Sequence, residues 1–281
     1  MEALDVPTGD GAVLHVTVDG SGPLFVLCHG GPGLWDYFDP LRQALRDVTR
    51  VVTWDQRGCG RSTGDGPHTI SRYVQDLEDI RQALGAPVWV VGGHSWGASL
   101  ALMYALAHPE QSAGVVYMSG TGLGREWNPH YHAESDRRRA GVQGRLDELS
   151  GRERTPEEEH EYRSLTWSSD FADPGRAVEL ASSLDRPFPI NLSANQQLGG
   201  EVKTWSEPDL RHRCRSLDVP FLILHGDKDP RPCWAVDSLA AALPDAETRV
   251  FRSVGHVPWL EAPEEFIAIL RRFLGDLSGT R

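Results

Sequence analysis

Two rhythms alternate along this chain. Residues 12–18 alternate apolar and polar side chains, the period of a half-buried edge strand. Residues 24–28, 48–54, 88–91, 113–118, 220–224 and 248–253 read as further strands, most of them apolar enough to be covered on both faces. Between them the period lengthens to that of a helix, over 36–46, 69–84, 98–107, 234–243 and 263–274. Gly85 closes the second of these helices. Strands that alternate with helices predict a mostly parallel, doubly wound α/β sheet.

The rhythm breaks once. From residue 121 to residue 208 no buried strand is signalled, charge is dense, and the pieces 131–139 and 156–165 read as helical. The same stretch carries Trp127, Trp167, Phe171 and Trp205. The pattern therefore divides the chain into an α/β core, 1–120 with 209–281, and a helical cap, or lid, at 121–208. No internal repeat or low-complexity tract is present.

Composition narrows the function without naming it. At 281 residues the chain is long enough for one large α/β domain. Its net charge of −12 argues against nucleic acid and anionic membrane as partners and suits a neutral or cationic small substrate. Residues 1–10 have neither a basic region nor an apolar one, so no signal peptide is expected. No apolar run reaches the length of a membrane span. Cys28, Cys59, Cys214 and Cys233 form no C-x-x-C pair and suggest free thiols in a reducing compartment, hence a cytoplasmic protein.

The chemistry gathers at strand ends. The run 88–91 leads into Gly93-His94-Ser95-Trp96-Gly97, a G-x-S-x-G match that passes directly into a helix. Strand, sharp turn and helix are the context that exposes such a serine as a nucleophile. A serine hydroxyl needs a base, and a histidine base needs a carboxylate to hold its tautomer. In this context the acid and the histidine follow the serine in chain order. Asp229 lies just beyond the strand 220–224, and His256 just beyond 248–253. Asp227 reads as a turn-former beside Asp229, and the plainer alternative is that both acids cap the turn. His94, next to the serine, reads as structural, and His29 and His225 as hydrogen-bonding loop backbone. The glycine-rich loop 29–33 bends sharply enough to present N–H groups, so an oxyanion would be held by Gly31 and by Trp96, the residue after the nucleophile. No ligand set of metal spacing and no dinucleotide fingerprint stands out, so neither metal nor cofactor is expected.

Taken together, HGGPG at 29–33, DQRGCGRS at 55–62, GGHSWGASLAL at 92–102, GDKD at 226–229 and GH at 255–256 resemble the proline iminopeptidases (prolyl aminopeptidases) of the α/β-hydrolase fold. The resemblance covers roughly residues 12–120 and 217–274. It implies a sheet of about eight strands and a Ser95–Asp229–His256 triad with an oxyanion hole from Gly31 and Trp96. It also implies release of an N-terminal residue, preferentially proline, from short peptides. An acid in the insertion would hold the substrate amine, and Glu201 is the candidate because its surroundings are otherwise uncharged. Trp127 and Trp205 would wall the pocket. His94 departs from the glycine this family has before its serine, a spelling shared with esterase-like relatives. The alternatives are an esterase, an amidase or a biosynthetic acyl-transfer hydrolase with the same triad, and a non-catalytic ligand-binding protein.

Overall fold

The computed structural model describes residues 1–279. Its eight strands are β1 (Glu2–Pro7), β2 (Val13–Asp19), β3 (Leu24–Cys28), β4 (Arg50–Trp54), β5 (Trp89–His94), β6 (Ser112–Met118), β7 (Phe221–Gly226) and β8 (Ala246–Phe251). They form one sheet in the order β1-β2-β4-β3-β5-β6-β7-β8. β1 and β2 pair antiparallel, β2 joins β4 antiparallel, and every later pair is parallel. All parallel strands therefore end on one edge, where open α/β sheets place their ligands.

Apolar runs without alternation require cover on both faces. On one face Val26, Val52, Val115 and Ile223 pack under α2 (Ile70–Ala83), α3 (Trp96–Ala107) and α10 (Asp237–Ala240). On the other, Phe25, Val51, Val116 and Leu222 pack against α1 (Asp39–Leu45) and α12 (Pro263–Gly279). Adjacent residues of one strand thus serve opposite cores.

Between β6 and β7 the chain forms only helices: α4 (Asn128–Arg139), α5 (Gln143–Ser150), α6 (Pro156–Trp167), α7 (Ala177–Leu184), α8 (Leu192–Val202) and α9 (Glu207–Cys214). The stretch 121–208, read from the pattern as a cap, holds more helices than periodicity resolves. A further short helix of the core, α11 (Pro258–Glu261), follows β8.

Some element boundaries shift for physical reasons. The strand expected at the edge, 12–18, is β2 and pairs on both sides; the edge belongs to β1, whose mostly exposed positions carry little hydrophobic signal. The helix expected from residue 36 begins at Asp39, because Asp36 instead takes the Phe38 N–H in a local turn before Pro40. The helix expected over 234–243 is reduced to a 3₁₀ turn, Cys233–Val236, and the four residues of α10.

Candidate active site

Ser95 stands between the last residue of β5 and the first of α3 with φ 57° and ψ −120°. A serine in this region is strained, and such strain persists only where the surroundings enforce it. Here its N–H donates to the Met118 carbonyl at 2.9 Å, and its carbonyl accepts from Ala98 N–H at 3.0 Å. The turn is also compressed. A Cβ on Gly93 would fall on the Gly97 carbonyl, and one on Gly97 would fall on the Cys28 carbonyl. Both glycines are therefore required for strand and helix to meet.

Asp229 and His256 meet at the same sheet edge. His256 Nδ1–H donates to Asp229 Oδ2 at 2.6 Å, with both side chains buried. Asp229 Oδ1 accepts the Arg231 N–H at 2.9 Å. Burial pushes the Asp229 carboxyl up. The charge and hydrogen bond of His256, with help from His225 and Arg231, more than reverse this and hold it well below the usual carboxylate range. An ionised Asp229 fixes the proton of His256 on Nδ1 and leaves Nε2 free. Ser95 and His256 line one cavity of about 350 Å³. Asp227 lies outside this arrangement and accepts the Ser253 N–H at 2.6 Å, a loop-bracing role.

The glycine-rich loop lies against the serine. A Cβ on Gly30 would meet Tyr37 Oη, Ser95 Cβ and the His94 carbonyl. Gln56 ties this loop to Trp96, the residue after Ser95. Its amide donates to the His29 carbonyl at 2.7 Å, and its carbonyl accepts the Trp96 indole N–H at 3.0 Å. Its backbone N–H donates to His29 Nε2 at 2.9 Å, so His29 carries its proton on Nδ1 and directs it to the Gly30 carbonyl. The glycine-rich loop, at His29 and Gly30, and the Trp96 side chain are thus joined by one hydrogen-bonded brace. The other residues of DQRGCGRS support that brace from behind. Asp55 accepts from Asp36 N–H and from Arg61 N–H and Nε, and Arg57 pairs with Asp10 and Asp76.

A second cavity, of about 320 Å³, shares Ser95, Gly31, Tyr131 and Arg231 with the first. Trp96, Trp127 and Trp205 line it, so the structure brings both candidate tryptophans of the insertion to the serine. Leu34, Trp167, Leu184 and Ile190 give the first cavity its apolar wall. Glu201 is not brought there. Its carboxylate accepts the Ile70 N–H at 2.8 Å and satisfies an orphan donor at the start of α2. The expectation that Glu201 faces the cleft is corrected accordingly. The carboxylate that does line the first cavity is Asp170.

Sequence reasoning passed over three further residues. The Arg231 guanidinium sits 4.3 Å from the Tyr131 ring and pairs with Asp170. Arg231 had a usable signal, two positions after Asp229; Asp170 and Tyr131 had none, because only tertiary packing brings them in. The segment around Asp170 is joined to the His256 loop. The His256 N–H donates to the Asp170 carbonyl at 2.7 Å, and Glu261 accepts from both Ala172 N–H and Gly255 N–H at 2.7 Å.

Two of the buried thiols are poor nucleophiles. The cysteines are free, and burial pushes the thiols of Cys28 and Cys59 up to about 12, far from the thiolate form. Among the described residues no cluster of three or more His, Cys, Asp or Glu is placed to hold a metal ion, and no helix is long and apolar enough to cross a membrane.

Residues 23–263 match the family model described as alpha/beta hydrolase fold. The chain is similar to a proline iminopeptidase of Heyndrickxia coagulans, with 25% identity over 98% of both chains. Its backbone is similar to that of a proline iminopeptidase of Mycobacterium smegmatis, with a TM-score of 0.69, 23% identity and 99% of each chain covered. It is also similar to a thermophilic esterase of Thermogutta terrifontis, with a TM-score of 0.76, 20% identity, and 99% of this chain and 100% of that one covered. At such identities the two structures speak for the fold alone.

Proposed function

Because the chain belongs to the alpha/beta hydrolase fold family, we propose that it is a serine hydrolase that releases the N-terminal residue, with proline preferred, of short peptides. The observation that carries the chemistry is the 2.6 Å bond from His256 to Asp229 beside a cavity that Ser95 also lines. Ser95 Oγ bonds to the substrate carbonyl carbon while its proton passes to His256 Nε2. The carbonyl electron pair moves onto oxygen, which the N–H groups of Gly31 and Trp96 receive. Collapse breaks the bond to the leaving amine, which takes the proton from His256. Water then repeats the sequence on the acyl-enzyme and frees Ser95.

The N-terminal side chain would occupy the first cavity, whose apolar wall suits a small ring. Asp170 would receive the ammonium, and the rest of the peptide would extend past Trp127 and Trp205. The insertion acts as a lid in this reading. The relatives named proline iminopeptidase support it, as does the HGGPG loop. One observation favours a second reading. Asp170 is already paired with Arg231, which suits an ester or amide without a free amine.

Proline 4-nitroanilide and its N-acetyl form separate the two. Loss of one partner of a desolvated charge pair costs ~2–5 kcal/mol, or roughly 30- to 4,000-fold in rate. The free amine should be cleaved faster by that factor. Equal rates would remove the peptidase reading and leave the esterase or amidase.

A further inference from the structure

We infer that Tyr37 and His94 are positioning residues that set the oxyanion loop and the backbone of His256 in register through one fixed histidine tautomer. The inference rests on the roles proposed above for Ser95 and His256.

The chain of bonds has only one consistent direction. Gly30 N–H donates to Tyr37 Oη at 2.6 Å. Tyr37 Oη lies 2.6 Å from His94 Nδ1. His94 Nε2 lies 2.8 Å from the His256 carbonyl oxygen. A carbonyl only accepts, so His94 Nε2 must carry the proton. In a neutral ring Nδ1 is then a bare acceptor, and the Tyr37 hydroxyl must donate to it. The reverse tautomer would set two lone pairs against each other at the carbonyl. An imidazolium would leave the Tyr37 hydroxyl proton without an acceptor.

The surroundings keep the ring neutral. His94 is buried, and burial disfavours its charged form, as does the neighbouring His256. The charged and titratable groups around it are Tyr37, His256, Asp229 and Arg231. Trp259 closes the remaining side, edge-on at 4.7 Å. Neutrality has a catalytic consequence. The His94 and His256 rings lie 4.6 Å apart. His256 becomes cationic when it takes the Ser95 proton, and a second imidazolium at that distance would oppose the transfer.

The arrangement joins three segments distant in sequence: the glycine-rich loop, the residue before the nucleophile, and the base. A loop carrying an oxyanion donor and the loop carrying the base are thereby indexed to the same ring. Loss of that index should displace donor and base relative to the carbonyl without altering the pocket walls that bind substrate.

Two measurements on the full chain test this. Long-range proton–nitrogen correlation on protein with nitrogen-15 histidine, assigned by loss of one ring in His94→Gln, should show His94 as the neutral Nε2–H tautomer. It should not titrate between about pH 5 and about pH 9, across the range where an ordinary histidine changes charge. In parallel, Tyr37→Phe and His94→Ala should lower kcat on an activated ester by about 10- to 100-fold with KM nearly unchanged. The rate of Ser95 labelling by a fluorophosphonate should fall in parallel. His94→Gln, which can still donate to the His256 carbonyl, should recover most of the loss. An Nδ1–H tautomer, a titrating His94, or folded Tyr37→Phe protein with unchanged kcat would overturn this inference alone. Failure of the unmodified protein to label at all would overturn the functional reading and this role with it.

Discussion

The cleft has two walls of different construction. The sheet-edge wall holds Ser95, Asp229, His256 and the glycine-rich loop on the ends of β5, β7, β8 and β3, with Asp229 and His256 buried and the loop braced through Gln56. The opposite wall is made by the insertion: Trp127, Tyr131, Trp167, Asp170 and Trp205. Its helices turn ion pairs such as Arg145–Glu161 and Arg152–Glu158 to solvent. The first wall is fixed by backbone register and by buried polar groups that must be satisfied, so single atoms decide it. The second is fixed by packing of helices, so area and shape decide it. On the proposed reading, chemistry resides in the first wall and substrate choice in the second.

The contrast is broken most directly at Ser95, the proposed nucleophile. Ser95→Ala should reduce kcat by ~10⁶ with the fold intact, whereas Ser99→Ala, one turn along α3, should leave kcat nearly unchanged. Comparable losses in both would mean that the turn has no chemical role. Next in size, Asp229→Asn should lower kcat by roughly 10⁴, because the amide favours the wrong His256 tautomer. Asp227→Asn should do far less, since its carboxylate only braces the Ser253 amide. A reversal of these two would reassign the acid. On the opposite wall, Trp127→Ala or Trp205→Ala should raise KM by about 10-fold while kcat changes little, the signature of lost ground-state binding. A drop in kcat without a change in KM would place these residues in the chemistry.

The smallest effect concerns stability. Glu78 of α2 faces α3, where the Arg81 bond above all, with Gln82 and Tyr104, holds its carboxyl down at about 2 against an ordinary 4.5. A carboxyl depressed in the folded state stabilises fully above its unfolded value, and that contribution fades as pH falls from about 4.5 towards about 2. Glu78→Gln should therefore cost about 2 kcal/mol near neutral pH, a gap in Tm that closes as the solution is acidified. Glu158, equally depressed by Arg152 but out in solvent, should show a much smaller gap when changed to Gln. Matching losses would mean that the insertion's surface pairs bear as much stability as the core's.

The same division explains what was legible in the sequence. The apolar runs before Cys28, His94 and Gly226 announce strands whose ends hold the proposed site, because covered parallel strands must be apolar and their ends must turn. Gly93 and Gly97 point to the compressed turn for the same reason. Gln56 was visible only as part of a motif; its work as a brace depends on the Trp96 indole, forty positions away. Glu201 was misplaced because an isolated acid in an uncharged stretch looks the same whether it faces a pocket or caps another helix. Asp170 lies on a 3₁₀ turn, Ser168–Asp170, with no periodicity to mark its direction. Residues of the insertion are assigned to the cleft by helix packing, which local pattern does not encode.

The aromatic lining has a practical corollary. Of the nine tryptophans, Trp167 lines one cavity and Trp96, Trp127 and Trp205 line the other. Indole emission shifts in colour and yield as water leaves the ring. A molecule settling in either cavity would displace water from at least one of these rings, so the protein carries its own optical reporter of occupancy. Titrations read by intrinsic fluorescence can then rank candidate ligands, even in Ser95→Ala protein, before any chromogenic substrate has been found.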